Sequence, residues 1–266
     1  MKVAAAQIHP QFARPDKNQR LLRRYCEKAG AQEIDLLVFP ELCVSGYNFS
    51  SRDQVRVLAE SAPDGPTTRL LIELARQHHL TIIAGIAERS TEDLLYNSAV
   101  IVTPKGFMGQ YRKIHLFARE KEWFQPGNEP PKVWHIPKAT IGVLVCFDWV
   151  FPEAARILML EGCEILCLPA NLILPYAQHA MITRSIENRM FTVLANRIGS
   201  ERELTFTGRS QITDIDGTIL IRSRTKQTGL ITAEIDSRQA RNKFLTKTNH
   251  IVEDRRIDLY QRLLER

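Results

Sequence analysis

Ile141-Gly142-Val143-Leu144-Val145-Cys146 runs directly into Phe147-Asp148-Trp149-Val150-Phe151-Pro152-Glu153. A dense apolar run followed by a Pro-led segment reads as a buried strand turning into a helix. The thiol of Cys146 then stands at a rigid corner with a helix N-terminus just beyond it, a setting that positions a nucleophile and stabilises its thiolate. Two other polar groups occupy comparable positions. Glu41 follows Leu36-Leu37-Val38-Phe39-Pro40, and Lys113 follows the extended stretch Phe107-Met108-Gly109-Gln110-Tyr111-Arg112. A carboxylate, an ammonium and a thiol, each at the end of a strand, form a candidate catalytic set.

Working outward, residues 3–8 read as a first strand. After Pro15-Asp16, Leu21, Leu22, Tyr25 and Ala29 recur at helical spacing. Gly65-Pro66 opens a second helix with Leu70, Leu71, Leu74 and Ala75 as its buried stripe. Residues 81–87 and 96–103 are strands rich in β-branched side chains, and Pro104-Lys105-Gly106 turns the chain toward Lys113. The second half echoes the first: a helix from Pro152 stops at Gly162, a strand covers 164–168, a helix 175–189 and a strand 191–198. Asp216-Gly217 is a hairpin turn between strands at 210–214 and 218–221. Leu37-Val38-Phe39-Pro40-Glu41-Leu42 and Leu166-Cys167-Leu168-Pro169-Ala170-Asn171-Leu172 look like counterparts, which suggests a pseudo-repeat. Alternating strands and helices favour a layered α/β fold. With no linker or low-complexity tract, residues 1–266 read as a single domain. A polar, basic tail from about residue 237 packs on the body or on a partner subunit.

Composition narrows the function. A 44% hydrophobic fraction over 266 residues is ordinary for a globular protein that buries a large core without staples. Five scattered cysteines, Cys26, Cys43, Cys146, Cys163 and Cys167, read as reduced thiols, with Cys163 and Cys167 structural. The first eight residues do not resemble a signal peptide, and no apolar stretch is long enough to span a membrane, so a cytoplasmic protein is expected. The net charge of +6 comes from basic residues interleaved with acidic ones, as in Arg119-Glu120-Lys121-Glu122. No groove-reading motif accompanies them, which argues against a nucleic-acid partner. The seven histidines show no metal-ligand spacing, which argues against a zinc amidohydrolase, and the chemistry of the candidate set calls for no metal or organic cofactor.

At three segments the chain resembles the nitrilase superfamily of carbon–nitrogen hydrolases. Pro40-Glu41-Leu42 with Gly46-Tyr47 resembles its glutamate segment, Tyr111-Arg112-Lys113-Ile114-His115-Leu116 its lysine segment, and Cys146-Phe147-Asp148-Trp149 with Phe151-Pro152-Glu153 its nucleophile segment. They occur in the family's order, and the likeness extends from about residue 3 to about residue 236. The resemblance implies a Glu-Lys-Cys triad in a four-layer α-β-β-α sandwich, paired into a homodimer or a higher oligomer. It also implies a further glutamate in the loop after Lys113. Glu120 and Glu122 both qualify, and Glu120 better matches the family's glutamate-lysine pattern.

In the chemistry this set suggests, Glu41 takes the proton of Cys146 and later passes it to departing ammonia. Lys113 holds the oxyanion, and its charge favours the thiolate. The backbone N–H of Phe147 is a second oxyanion donor, and Asp148, Trp149 and Asn171 are candidate pocket residues. The expected activity is hydrolysis of a small linear amide or an N-carbamoyl amine to acid plus ammonia through a thioester. The alternative is a nitrilase acting on a small nitrile. A non-catalytic scaffold, an acyltransferase, and a Cys-His hydrolase using His115 or His179 are the remaining rivals.

Overall fold

Side chains alternate along Lys2–Gln7, so that Val3 and Ala5 join one apolar core while Ala4 and Ala6 join another. This two-sidedness runs through a computed structural model that describes residues 1–265. The first half comprises β1 (Lys2–Gln7), α1 (Pro15–Gly30), β2 (Leu36–Val38), α2 (Arg52–Leu58), α3 (Pro66–His78), β3 (Thr81–Arg89), β4 (Leu95–Thr103) and β5 (Gly106–Arg112). The short α4 (Glu120–Trp123) leads to β6 (Val133–Ile136), β7 (Ala139–Val143), α5 (Pro152–Leu160), β8 (Ile165–Ala170), α6 (Ala177–Asn188) and β9 (Phe191–Asn196). Then come β10 (Ser200–Glu201), β11 (Leu204–Thr205), β12 (Gln211–Thr213), β13 (Ile219–Arg222) and β14 (Gly229–Glu234).

Two six-stranded sheets result, ordered β14-β1-β2-β3-β4-β5 and β13-β12-β9-β8-β7-β6. Leu22, Tyr25 and Ala29 of α1 and Leu71, Leu74 and Ala75 of α3 cover the outer face of the first sheet. Its inner face, with Val3, Leu36, Val38 and Ile83, packs in one core with Ile141, Val143 and Leu166 of the second sheet. That core continues through Ala155 and Leu158 of α5 and Met181 of α6. The layers are therefore α-β-β-α, as the sequence led us to expect. Each fully buried Leu or Ile contributes about 1.5–3 kcal/mol relative to exposure.

The echo between the two halves has a topological counterpart. β2 lies between β1 and β3, parallel to both, and β8 lies between β7 and β9, parallel to both. The segments that end in Pro40-Glu41 and Pro169-Ala170-Asn171 thus follow the middle strand of each parallel trio.

Several boundaries differ from the sequence reading. β2 stops at Val38 and β7 at Val143, so Glu41 and Cys146 sit three residues beyond their strands, in turns. Leu42 (φ 45°) and Cys146 (φ 44°) adopt left-handed backbone, which cannot continue a pleat. Helix α2, β6 and β14 carried too little signal to foresee. Only Val55 is buried in α2, and β6 and β14 are short edge strands. No helix among the described residues is long and apolar enough to cross a membrane.

Candidate active site

Parallel strands deliver their C-terminal ends to one edge of the sandwich, and side chains from turns and strand ends of both sheets meet there. The turn carrying Glu41 lies flat on β3. Gly85 N–H donates to Pro40 O at 3.1 Å, Cys43 N–H donates to Gly85 O at 2.9 Å, and a Cβ on Gly85 would come within 2.4 Å of the Glu41 Cα. Only glycine allows this approach. Lys113 remains paired to β4 through its own N–H, which donates to Asn97 O at 2.8 Å, and this aims its side chain inward. Cys146 opens a 3₁₀ turn, Cys146–Val150, before Pro152 starts α5.

Glu41 and Lys113 are fully buried and Glu120 is 4% exposed. Lys113 Nζ donates to Glu41 Oε1 at 2.8 Å and to Glu120 Oε1 at 2.9 Å. Asn97 Nδ2 donates to Glu41 Oε1 at 2.7 Å and approaches Glu120 Oε2 at 3.4 Å, while the Tyr47 hydroxyl donates to Glu120 Oε1 at 2.7 Å. Glu41 Oε2 is buried and has no hydrogen-bond partner. Glu122, the other acidic candidate, is half-exposed and pairs with Arg119. Asn97 and Tyr47 were missed as supporting residues. Asn97 lies near the start of a mostly apolar strand, where a polar residue among the inward-facing positions was the only available signal.

Charge balance decides the protonation states. Burial lowers the Lys113 ammonium, but Glu120 and Glu41 more than reverse this and hold it well above the ordinary lysine range. Burial pushes the Glu120 carboxyl up, Lys113 draws it back, and the neighbouring Glu41 adds to the rise. At Cys146 burial comes first and Glu41 reinforces it, so the thiol lies well above its usual value despite Lys113. Lys113 favours the thiolate, as expected, but burial and Glu41 outweigh it. The single ammonium is shared by two carboxylates, so the balance of charge and burial at the sulfur favours S–H.

The candidate pocket residues separate into two groups. Phe147, Trp149 and Asn171 line a cleft at Cys146, together with Phe117, Ile173 and Leu174. A second cleft reaches Glu120 and Tyr47 and shares Phe117 and Ile173 with the first. Asp148 lines neither. It is fully buried, and both of its oxygens are occupied. Oδ2 accepts from Tyr111 OH at 2.8 Å and Val145 N–H at 2.9 Å, while Oδ1 accepts from His115 N–H at 3.1 Å and lies 2.8 Å from His115 Nδ1. Contrary to the expectation from sequence, Asp148 supports the turn and does not line the pocket. The rival histidines lie apart from these clefts: His115 is held by Asp148 and stacked on Phe151 at 3.7 Å, and His179 is exposed. Cys163 and Cys167 are buried in the core of the second sheet.

The loop carrying Tyr47 is fixed from a distance. Glu201 Oε2 accepts the N–H groups of Tyr47 at 2.9 Å and Asn48 at 2.8 Å, and Glu201 is itself paired with the fully buried Arg197.

A family model described as carbon-nitrogen hydrolase matches residues 2–243. The chain is 44% identical over 262 residues to a protein of Pyrococcus abyssi named nitrilase, covering 98% of this chain and all of that one. It is 36% identical over 195 residues to an (R)-stereoselective amidase of a Pseudomonas species, covering 71% and 69% respectively. Its fold is similar to the crystal structure of an amidase from a Nesterenkonia species, with a TM-score of 0.82 at 23% identity over 99% of this chain and 96% of that one.

Proposed function

The chain belongs to the carbon–nitrogen hydrolase family, and on that premise we propose that it converts a small linear amide or N-carbamoyl amine, with water, to an acid and ammonia through a thioester on Cys146. The observation that carries this reading is the pairing at Glu41. Oε1 is engaged by Lys113 and Asn97, while Oε2 is buried with no partner, a free acceptor in a site where the thiol holds its proton.

In this scheme Glu41 Oε2 accepts the Cys146 proton as sulfur bonds to the carbonyl carbon. The C=O electron pair moves onto oxygen, where the Lys113 ammonium and the Phe147 N–H meet it. Collapse of the tetrahedral species breaks the C–N bond, and Glu41 returns its proton to the departing nitrogen, which leaves as ammonia. Water then gives a proton to Glu41 and its oxygen to the thioester carbon. The acid departs, and the proton restores the Cys146 thiol. Glu120, bonded to Lys113 and Tyr47, accepts from the amide NH₂ and aligns the carbonyl.

The second reading, a nitrilase, is favoured by the name of the Pyrococcus relative. A nitrile lacks the NH₂ that Glu120 would accept, so the site should discriminate in favour of the amide. Ammonia release from matched short-chain amides and nitriles decides between them. Wild type is expected to show the higher kcat/KM on amides, with Glu120→Gln severely impaired and Cys146→Ala inactive. Faster nitrile turnover would promote the second reading. An acyl adduct found by intact mass on any residue but Cys146 would refute the scheme.

We also propose that the chain acts as one domain paired into a homodimer. Ile257, Leu259 and Leu263 in the tail are each at least 65% exposed, apolar surface that a second copy would cover.

A further inference from the structure

Asn171 is 3% exposed, yet neither its Nδ2 nor its Oδ1 has a hydrogen-bond partner. It lines the Cys146 cleft, whose neighbouring walls, Phe117, Phe147, Trp149, Ile173 and Leu174, are all apolar. The backbone beside it is pinned: Leu172 N–H donates to Asn196 Oδ1 at 2.9 Å, and Leu172 O accepts from Thr207 N–H at 2.8 Å. Asn171 is therefore a cleft residue beside a fixed segment, and its carboxamide has no partner within the protein. Buried polar groups are almost always paired, and one left open in a binding cleft calls for a partner from the ligand.

The scheme above gives the reacting amide other partners, Lys113 and Phe147 N–H for its oxygen and Glu41 and Glu120 for its nitrogen, and leaves Asn171 unused. Asn171 lines the same cleft as Cys146 and Phe147, so its carboxamide stands beside the acyl chain near the reacting carbon. Both a donor and an acceptor are open, and no charged side chain lines this cleft.

We propose that Asn171 is a specificity determinant, its carboxamide receiving a neutral group that both donates and accepts, a hydroxyl or second carboxamide on the α or β carbon of the substrate's acyl chain. The proposal rests on the amide-hydrolase reading and narrows it to amides with an apolar body and one neutral polar substituent near the reacting carbon. A carboxylate or ammonium at that position is disfavoured, because the cleft offers it no counterion.

The test compares kcat/KM for ammonia release from propanamide, both enantiomers of 2-hydroxypropanamide, and propanediamide. Wild type should prefer at least one substituted amide over propanamide by about tenfold or more, the scale set by leaving a buried polar group unpaired. Asn171→Leu should bring that ratio to within about threefold of one, and Asn171→Ala provides the same comparison if the leucine variant does not fold. The two substituted amides separate hydroxyl from carboxamide recognition. Turnover of propanamide with flat ratios in wild type, or an undiminished preference in the variants, overturns the proposal alone. No ammonia from any amide overturns the amide reading and this proposal together.

Discussion

Asp148 Oδ2 accepts the Tyr111 hydroxyl at 2.8 Å, a bond that ties the turn carrying Cys146 to the strand that leads into Lys113. Tyr111 precedes Lys113 by two residues and His115 follows it by two, and Asp148 holds both. The same carboxylate accepts Val145 N–H, one residue before Cys146. Asp148 therefore sets the spacing between lysine and thiol without entering the cleft. Asp148→Asn puts an NH₂ where acceptors are needed. We expect kcat to fall by about a hundredfold, as misplacement of reacting groups by about an ångström does, with KM changed less than about threefold. Adding Tyr111→Phe to Asp148→Asn should cost little more, because the two act through one bond. Steady-state kinetics on the double-mutant cycle checks this, and additive losses would show that the residues act separately.

Removal of the Lys113 charge affects both stability and chemistry. In Lys113→Met, Glu41 and Glu120 remain buried without their shared cation, a loss of about 3–5 kcal/mol. Turnover falls by roughly two to three orders of magnitude through the lost oxyanion donor. The pH dependence follows from Glu120, whose folded-state carboxyl is already raised above its ordinary value. Between the unfolded and folded values the native state binds more protons, so stability rises as pH falls through that window. Without the ammonium the window widens upward. Urea denaturation at pH 8 and pH 5 should show the deficit against wild type shrinking at pH 5, and a constant deficit would contradict this.

The Cys146 thiol should remain protonated where an ordinary thiol ionises, near 9.0. Thiolate absorbance at 240 nm, taken as the difference between wild type and Cys146→Ser, should show no titration step below pH 9. The kcat/KM profile should likewise lack an inflection there, because the thiol keeps its proton through that range. A step below pH 8 would show instead that the thiol ionises at rest.

A truncation after Asp254 removes the exposed Ile257, Leu259 and Leu263 and leaves the packed part of the tail intact. That part is anchored by Lys243 Nζ, which donates to Asn188 O at 2.9 Å, and by Arg189 Nε, which donates to Asn242 O at 2.8 Å. We expect a dimer for the full chain by light scattering at micromolar concentration and a weakened dimer for the truncation. A monomeric full chain would refute the pairing.

The residues that form the candidate site could be read one by one, because each signal is local. Apolar runs closed by Pro40-Glu41 and by Cys146, and strand periodicity ending at Lys113, record demands that burial and turn geometry make on neighbouring positions. Alternating strands and helices pointed to a layered α/β fold and the echo of Pro40-Glu41 in Pro169-Ala170-Asn171 to a pseudo-repeat, while the α-β-β-α order came from the resemblance to the family. Contacts between distant segments were not legible, because no local pattern encodes which buried polar groups meet. Asn97 bridging Glu41 and Glu120, Arg197 and Glu201 holding the Tyr47 loop, and Asp148 turned to Tyr111 instead of the cleft all depend on packing across the sandwich. The thiol's protonation is of the same kind: sequence supplied the lysine, but the count of buried charges around it, two carboxylates to one ammonium, exists only once the sheets close.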